Sequence, residues 1–273
     1  MKLNFHNHLA LFRLLCFIVV FPLLFSFDQN QKRKHVFTVK ATYDFFTTDH
    51  LGNFYLVNRD EIVKYNSKGE KIKIYSNKKL GKIFSVDASN PLRLLVFYKD
   101  FSVVVILDSQ LSSNGDDIHL EEMNLEQTDL TCTSFNNGIW LFNRQNMELI
   151  RLSESLEKIV ATGNLNRILN VDLHPDALLE YNGNIYLHDP MEGILVFDVF
   201  GTYSKTIPLY SLKDFQLRDM TVAYFSPGKF SKYHLRELWK KEIELDSLVL
   251  NARIENDKLF LSYTDSVSVF RLE

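Results

Sequence analysis

The sequence predicts an all-β fold, a six-bladed β-propeller closed by an N-terminal strand and carrying a degenerate fifth blade. Three observations predict it. A turn signal followed by an aromatic-rich strand occurs four times: Gly52-Asn53-Phe54-Tyr55-Leu56, Gly138-Ile139-Trp140-Leu141, Gly183-Asn184-Ile185-Tyr186-Leu187 and Asp257-Lys258-Leu259-Phe260-Leu261. A second, alternating apolar strand follows each copy: Ile62-Val63-Lys64-Tyr65, Met147-Glu148-Leu149-Ile150, Ile194-Leu195-Val196-Phe197 and Val267-Ser268-Val269-Phe270. The spacing gives units of roughly 40 residues with short strands and Gly, Asn and Asp turns, the period of propeller blades.

The strands follow in order. His35–Lys40 is an isolated strand with Val36, Phe37 and Val39 as its apolar members. Blade one is predicted over 45–48, 54–57, 62–66 and 71–75, with reversals at His50-Leu51-Gly52-Asn53, Arg59-Asp60 and Ser67-Lys68-Gly69-Glu70, residue types suited to tight turns. Blade two is predicted over 83–87, 92–98, 102–107 and 118–124; its middle strands are so apolar that neighbouring blades should cover both faces. Blade three spans about 130–162 and blade four about 177–208, separated by the long polar connection Gly163–Asp176. Blade five shows only 220–225, 230–234 and a piece near 242–245, and its stretch 233–244 also has helical spacing. Blade six reads 249–255, 259–264 and 267–272, one strand short. The N-terminal strand supplies the missing fourth strand and removes an open edge. A seventh blade would need about 40 more residues, whereas five blades remain possible if the fifth is an insertion.

Ahead of this domain, 35–273, residues 1–27 read as a signal peptide. Lys2 and Arg13 precede an apolar run, Leu14 to Phe27, broken only by Pro22 and Ser26. As a helix the run would rise only about 21 Å, short of a roughly 30 Å hydrocarbon core. An uncleaved anchor starting at Leu9 is the rival reading, because Ser26 is the only good cleavage candidate. Residues 28–34 read as a solvated linker. Export is therefore expected, to a periplasmic or outer-membrane-associated location, with membrane contact only through the N-terminal segment or a partner.

Composition narrows the function. With 46% hydrophobic and 24% charged residues the chain is globular, and a net charge of −3 offers no basic field for nucleic acid. Removing 1–27 leaves Cys132 as the one thiol, flanked by apolar strand residues; it reads as a buried structural group without a neighbour to lower its pKa. No zinc spacing, no Gly-x-Ser-x-Gly elbow and no phosphate-cradling glycine loop occurs in the mature chain. An enzyme is thus the weaker reading, although propeller sites are assembled from separate blades.

The run Asp49-His50-Leu51-Gly52-Asn53-Phe54-Tyr55-Leu56-Val57-Asn58, continued by Ile62-Val63-Lys64-Tyr65-Asn66-Ser67-Lys68-Gly69-Glu70, and the copy at Asn182–Leu187 resemble NHL-type six-bladed propellers. The resemblance covers most of 43–272 but few motifs, and blade five barely matches. In style, the Phe/Asn/Lys-rich composition behind a signal peptide looks like envelope proteins of Bacteroidetes-type bacteria. A signal peptide, a whole-chain propeller and no catalytic signature point to a binding module: an interaction platform without a cofactor, taking an envelope protein as partner in a cell-envelope complex, an outer-membrane assembly or secretion machine being the kind expected.

Two sets of residues are candidate sites. Loops at one end of the channel supply a polar rim: Asn58, Arg59, Asp60, Asn143, Arg144, His188, Asp189 and Asp265. Asn and Asp are also what tight turns demand. The alternative function, a propeller hydrolase or lyase with a channel-bound divalent ion such as Ca2+, would draw oxygen ligands from Asp44, Asp87, Asp129, Asp176 and Asp219, each beside an inner strand.

Overall fold

The computed structural model describes residues 33–273, in which six four-stranded antiparallel sheets form a ring, a six-bladed β-propeller. Strand β1 is Arg33–Lys40. Blade one is β2 to β5, Phe45–Thr48, Phe54–Asn58, Glu61–Tyr65 and Lys71–Ser76. Blade two is β6 to β9, Ser85–Asp87, Leu94–Tyr98, Val103–Leu107 and Ile118–His119. Blade three is β10 to β13, Thr128–Thr133, Ile139–Asn143, Glu148–Leu152 and Lys158–Ala161. A short helix α1, Leu165–Leu169, occupies the long connection to blade four, which is β14 to β17, Ala177–Tyr181, Asn184–Asp189, Gly193–Asp198 and Tyr203–Ile207. Blade five is β18 to β21, Phe215–Arg218, Thr221–Ser226, Lys229–His234 and Lys240–Glu244. Blade six joins β22 to β24, Asn251–Glu255, Lys258–Ser262 and Ser266–Leu272, to β1. No helix among the described residues is long and apolar enough to cross a membrane.

Alternation of side chains along the strands builds the core. In β7, Leu94, Val96 and Tyr98 pack toward blade one, while Leu95 and Phe97 pack toward blade three. The same holds around the ring, so that six apolar clusters fill the six spaces between neighbouring blades. A strand with a blade on either side needs apolar residues at every position, and β7, β8 and β11 are buried throughout. Cys132 lies fully buried in the space between blades three and four, and burial pushes its thiol well above the ordinary value.

The closing interface has the predicted partners. Strand β1 runs antiparallel to β24, from Arg33 opposite Leu272 to Lys40 opposite Ser266, with a bulge at Val36. Phe37 and Val39 pack on the cluster between blades six and one, and the Phe37 ring stacks 6.2 Å from that of Phe54. Val36 faces solvent instead, because the bulge takes it out of the alternation. Gly69 sits under Phe37: with φ at +84°, a Cβ there would stand 2.7 Å from the Phe37 ring. The strand starts at Arg33, so the last two residues of the expected linker belong to it; the rest of that linker and the segment 1–27 lie outside the described residues.

Blade five departs from the sequence expectation by being complete. Its inner strand β18 is only four residues long, with Phe215 and Leu217 on the apolar cluster and Gln216 and Arg218 bonded to Glu255 of the neighbouring inner strand. The 233–244 stretch is strand, turn and strand, not helix. Its turn also explains why the repeat was faint there. Elsewhere the turn between third and fourth strands begins with an oxygen acceptor: Asn66 takes the N–H groups of Lys68 and Glu70, Asp108 those of Gln110 and Ser112, and Asp198 those of Phe200 and Thr202. In blade five His234 Nδ1 does this work, accepting from Arg236 and Glu237. Blade two differs in the opposite sense. Its expected strand over 118–124 shrinks to Ile118–His119, because Leu120 turns inward in a 3-10 segment and buries against blade three.

Candidate functional site

All six inner strands line one central channel with a cavity of about 610 Å³. Since each blade repeats the same meander, the inner strands run in one sense, and the channel has an entry mouth where they begin and an exit mouth where they end. The five carboxylates considered for a metal divide between them. Asp44 and Asp176 precede β2 and β14 and Asp129 lies at the start of β10, all at entry; Asp87 ends β6 and Asp219 follows β18, at exit. An inner strand of four residues spans about 13 Å, so no single ion reaches all five. Among the described residues no three His, Cys, Asp or Glu side chains are gathered to hold a metal.

At the entry mouth carboxylates face basic groups. Asp129 stands between Lys99 Nζ at 2.8 Å and Arg144 Nε at 3.5 Å, Asp44 pairs with Lys82 at 3.4 Å, and Asp214 meets Arg253 Nη1 at 2.6 Å. His188 is fully buried: its Nε2 accepts the Leu212 N–H, which places the proton on Nδ1, where it is donated to Asp176. This imidazole therefore ties blade four to the segment leading into blade five. Of the rim expected from sequence, Arg59, Arg144 and Asp265 are exposed, Asn58 and Asp60 are half-buried, and Asn143, His188 and Asp189 are buried. The last three are corrected from rim to frame: Asn143 accepts the Asn146 N–H, and Asp189 accepts those of His174, Met191 and Glu192. A buried polar group must be bonded, and these turns supply the donors.

At the exit mouth carboxylates are held mainly by neutral donors. Asp49 accepts from the Leu51 and Asn53 N–H groups, the Asn53 amide and the Tyr55 hydroxyl. Asp87 accepts from the Ser89 and Thr133 N–H groups, bridging blades two and three. Glu180 accepts from Ser134, the Phe135 N–H and the Trp140 indole N–H, bridging blades four and three. Glu255 accepts from Thr48 at 2.7 Å and Gln216 at 2.9 Å and pairs with Arg218 at 2.7 Å, joining blades six, one and five. Its burial outweighs these contacts and raises its pKa above the ordinary value. Sequence reasoning missed Asp49, Glu180 and Glu255; the available signal was a carboxylate near the end of an inner strand.

No family model matches the chain, and no curated protein matches it. Solved structures do resemble it. A streptogramin B lyase matches with a TM-score of 0.60 at 9% identity, over 87% of this chain and 98% of that one. A Neurospora crassa Pan2 WD40 domain matches with 0.56 at 8% identity, over 89% and 96%. A catalytically inactive virginiamycin B lyase from Staphylococcus aureus, solved with quinupristin, matches with 0.55 at 11% identity, over 84% and 80%. At these identities the shared feature is the propeller itself.

Proposed function

We propose that this chain is an exported, non-catalytic propeller that serves as a protein-interaction platform in a cell-envelope complex, of the outer-membrane assembly or secretion kind. One observation carries the platform reading. Met191, Phe200, Leu92, Leu248 and Leu51 are exposed by 79%, 77%, 69%, 69% and 58%, yet each donates its backbone N–H to an Asp or Asn two residues earlier. Large apolar groups held on stiff turns lose little freedom on binding. The envelope part of the reading rests on the N-terminal run of apolar residues behind Lys2 and Arg13. Purification of the tagged chain from its native envelope in mild detergent should recover a stoichiometric partner; free monomer under every condition would overturn the proposal.

A further inference from the structure

The two mouths offer different surfaces, and the exit mouth has a chemistry of its own. Four exposed apolar residues stand on the turns that leave the inner strands there: Leu92 (69%), Leu51 (58%), Phe135 (41%) and Met220 (41%). Each is tied to the channel. Leu51 and Met220 adjoin His50 and Asp219, which line the cavity, Leu92 follows the lining residue Ser89 by three positions, and the Phe135 N–H is bonded to the lining residue Glu180. Their placement is fixed as well: the Arg151 guanidinium lies 3.5 Å from the Phe135 ring centre, and the Asp219 N–H bonds to the Tyr181 hydroxyl. Inside this apolar collar the carboxylates of Asp49, Asp87, Glu180, Asp219 and Glu255 line the cavity end, and Arg218 and Arg253 are the guanidiniums that line it with them. Lys64, Arg93 and Arg151 lie within charge range of Asp49, Asp87 and Glu180, though none forms an ion pair with them, and the lining as a whole carries seven Asp and Glu residues against two arginines, an excess of negative charge.

From this juxtaposition we propose that the exit mouth docks a basic peptide segment of a partner protein, one lysine or arginine side chain entering the channel and apolar neighbours seating on Leu51, Leu92, Phe135 and Met220. Charge complementarity selects the occupant: a cation meets an excess of carboxylates over guanidiniums, which would repel an anion. A cavity of about 610 Å³ accommodates such a side chain with room to spare. The proposal deepens the platform reading and rests on it.

Displayed random peptides selected on the purified chain test it. Enriched peptides are expected to carry a lysine or arginine flanked by apolar residues. A synthetic copy should lose affinity by about tenfold or more toward the double variant Leu92→Ser/Asp219→Asn, weaken with added salt, and bind Leu248→Ser, at the entry mouth, as it binds the unaltered chain. Because all three positions are highly exposed, thermal melts should match among the variants. No enrichment, enrichment of peptides without a basic residue, undiminished binding after lysine is replaced by norleucine, or sensitivity to Leu248→Ser alone would each overturn the proposal. Native purification of the same variants separates the two readings. A partner lost with Leu248→Ser and retained by the double variant leaves the platform standing and removes the exit mouth as its docking face; no partner for the unaltered chain removes the platform.

Discussion

The two mouths of one channel differ in how they hold most of their carboxylates, although the exit-mouth Glu255 and Asp219 share Arg218. At entry Asp44, Asp129 and Asp214 face Lys82, Lys99 with Arg144, and Arg253. At exit Asp49, Asp87 and Glu180 are bound by N–H and O–H donors. Both arrangements join neighbouring blades, so both serve the ring. The difference is in what is left over: paired charges cancel, whereas a carboxylate satisfied by neutral donors keeps its field. A repeat fold can thus build two unlike ends from one motif, because only the residues at the ends of the inner strands need to change.

If the entry mouth is frame, its buried bridge should be costly to remove. His188→Ala deletes a fully buried ring that bonds to Asp176 and the Leu212 N–H and packs 5.9 Å from the Phe215 ring. The expected loss is about 2–4 kcal/mol, read from urea unfolding; a change within error would mean that blades four and five are joined without it. At the exit mouth the matching test is Trp140→Phe, which leaves the apolar space between blades three and four mostly filled but withdraws one donor from Glu180. About 1–3 kcal/mol should be lost, less than at His188 because Ser134 and the Phe135 N–H still hold the carboxylate.

Much of this frame was legible in sequence, and the exceptions have physical reasons. Blades one, three, four and six, and the closing pair of β1 with β24, follow from turn and alternation signals that are local. Strand β18 escaped because its alternation, Phe215 and Leu217 to the core with Gln216 and Arg218 in a polar seam with Glu255, lasts only four residues. The candidate site fared worse. His188 and Asp189 were placed on a rim because they adjoin a turn, yet β15 is enclosed by two blades to its last residue. Glu180 and Glu255 were overlooked because their donors, Trp140 and Gln216, belong to other blades some 40 residues away in sequence. A single sequence gives the period of a propeller but not which side chains meet across its channel.

The exit mouth should also respond to pH. Glu255 holds its proton to a higher pH in the folded chain than its ordinary value of 4.5, chiefly through burial. Between 4.5 and that raised value the folded state binds more protons than the unfolded one, so stability should fall as pH rises through this window. The slope can reach about 1.4 kcal/mol per pH unit, and Glu255→Gln should flatten it. Asp60 and Glu242 are shifted downward, by hydrogen bonds from Ser76 and Lys240 respectively, and act at lower pH, outside this window. An unchanged slope in the variant would show that Arg218 and Thr48 compensate the burial.

The smallest effect is expected where the entry mouth meets water. The Lys82 and Asp44 side chains are 61% and 36% exposed, and their 3.4 Å pair is open to counter-ions. Asp44 also accepts the Arg59 N–H at 3.0 Å, a bond that fixes the turn between β3 and β4 and does not depend on the lysine. Lys82→Ala should therefore cost no more than about 0.5 kcal/mol, and less as salt is raised, in melts at low and high ionic strength. Asp44→Ala should cost more than Lys82→Ala and keep part of its cost in salt, because it also removes the acceptor that holds the Arg59 N–H. If the two variants instead behave alike, and both effects vanish in salt, the carboxylates of the entry mouth act through charge alone, and the claim that they are part of the frame fails at its most exposed member.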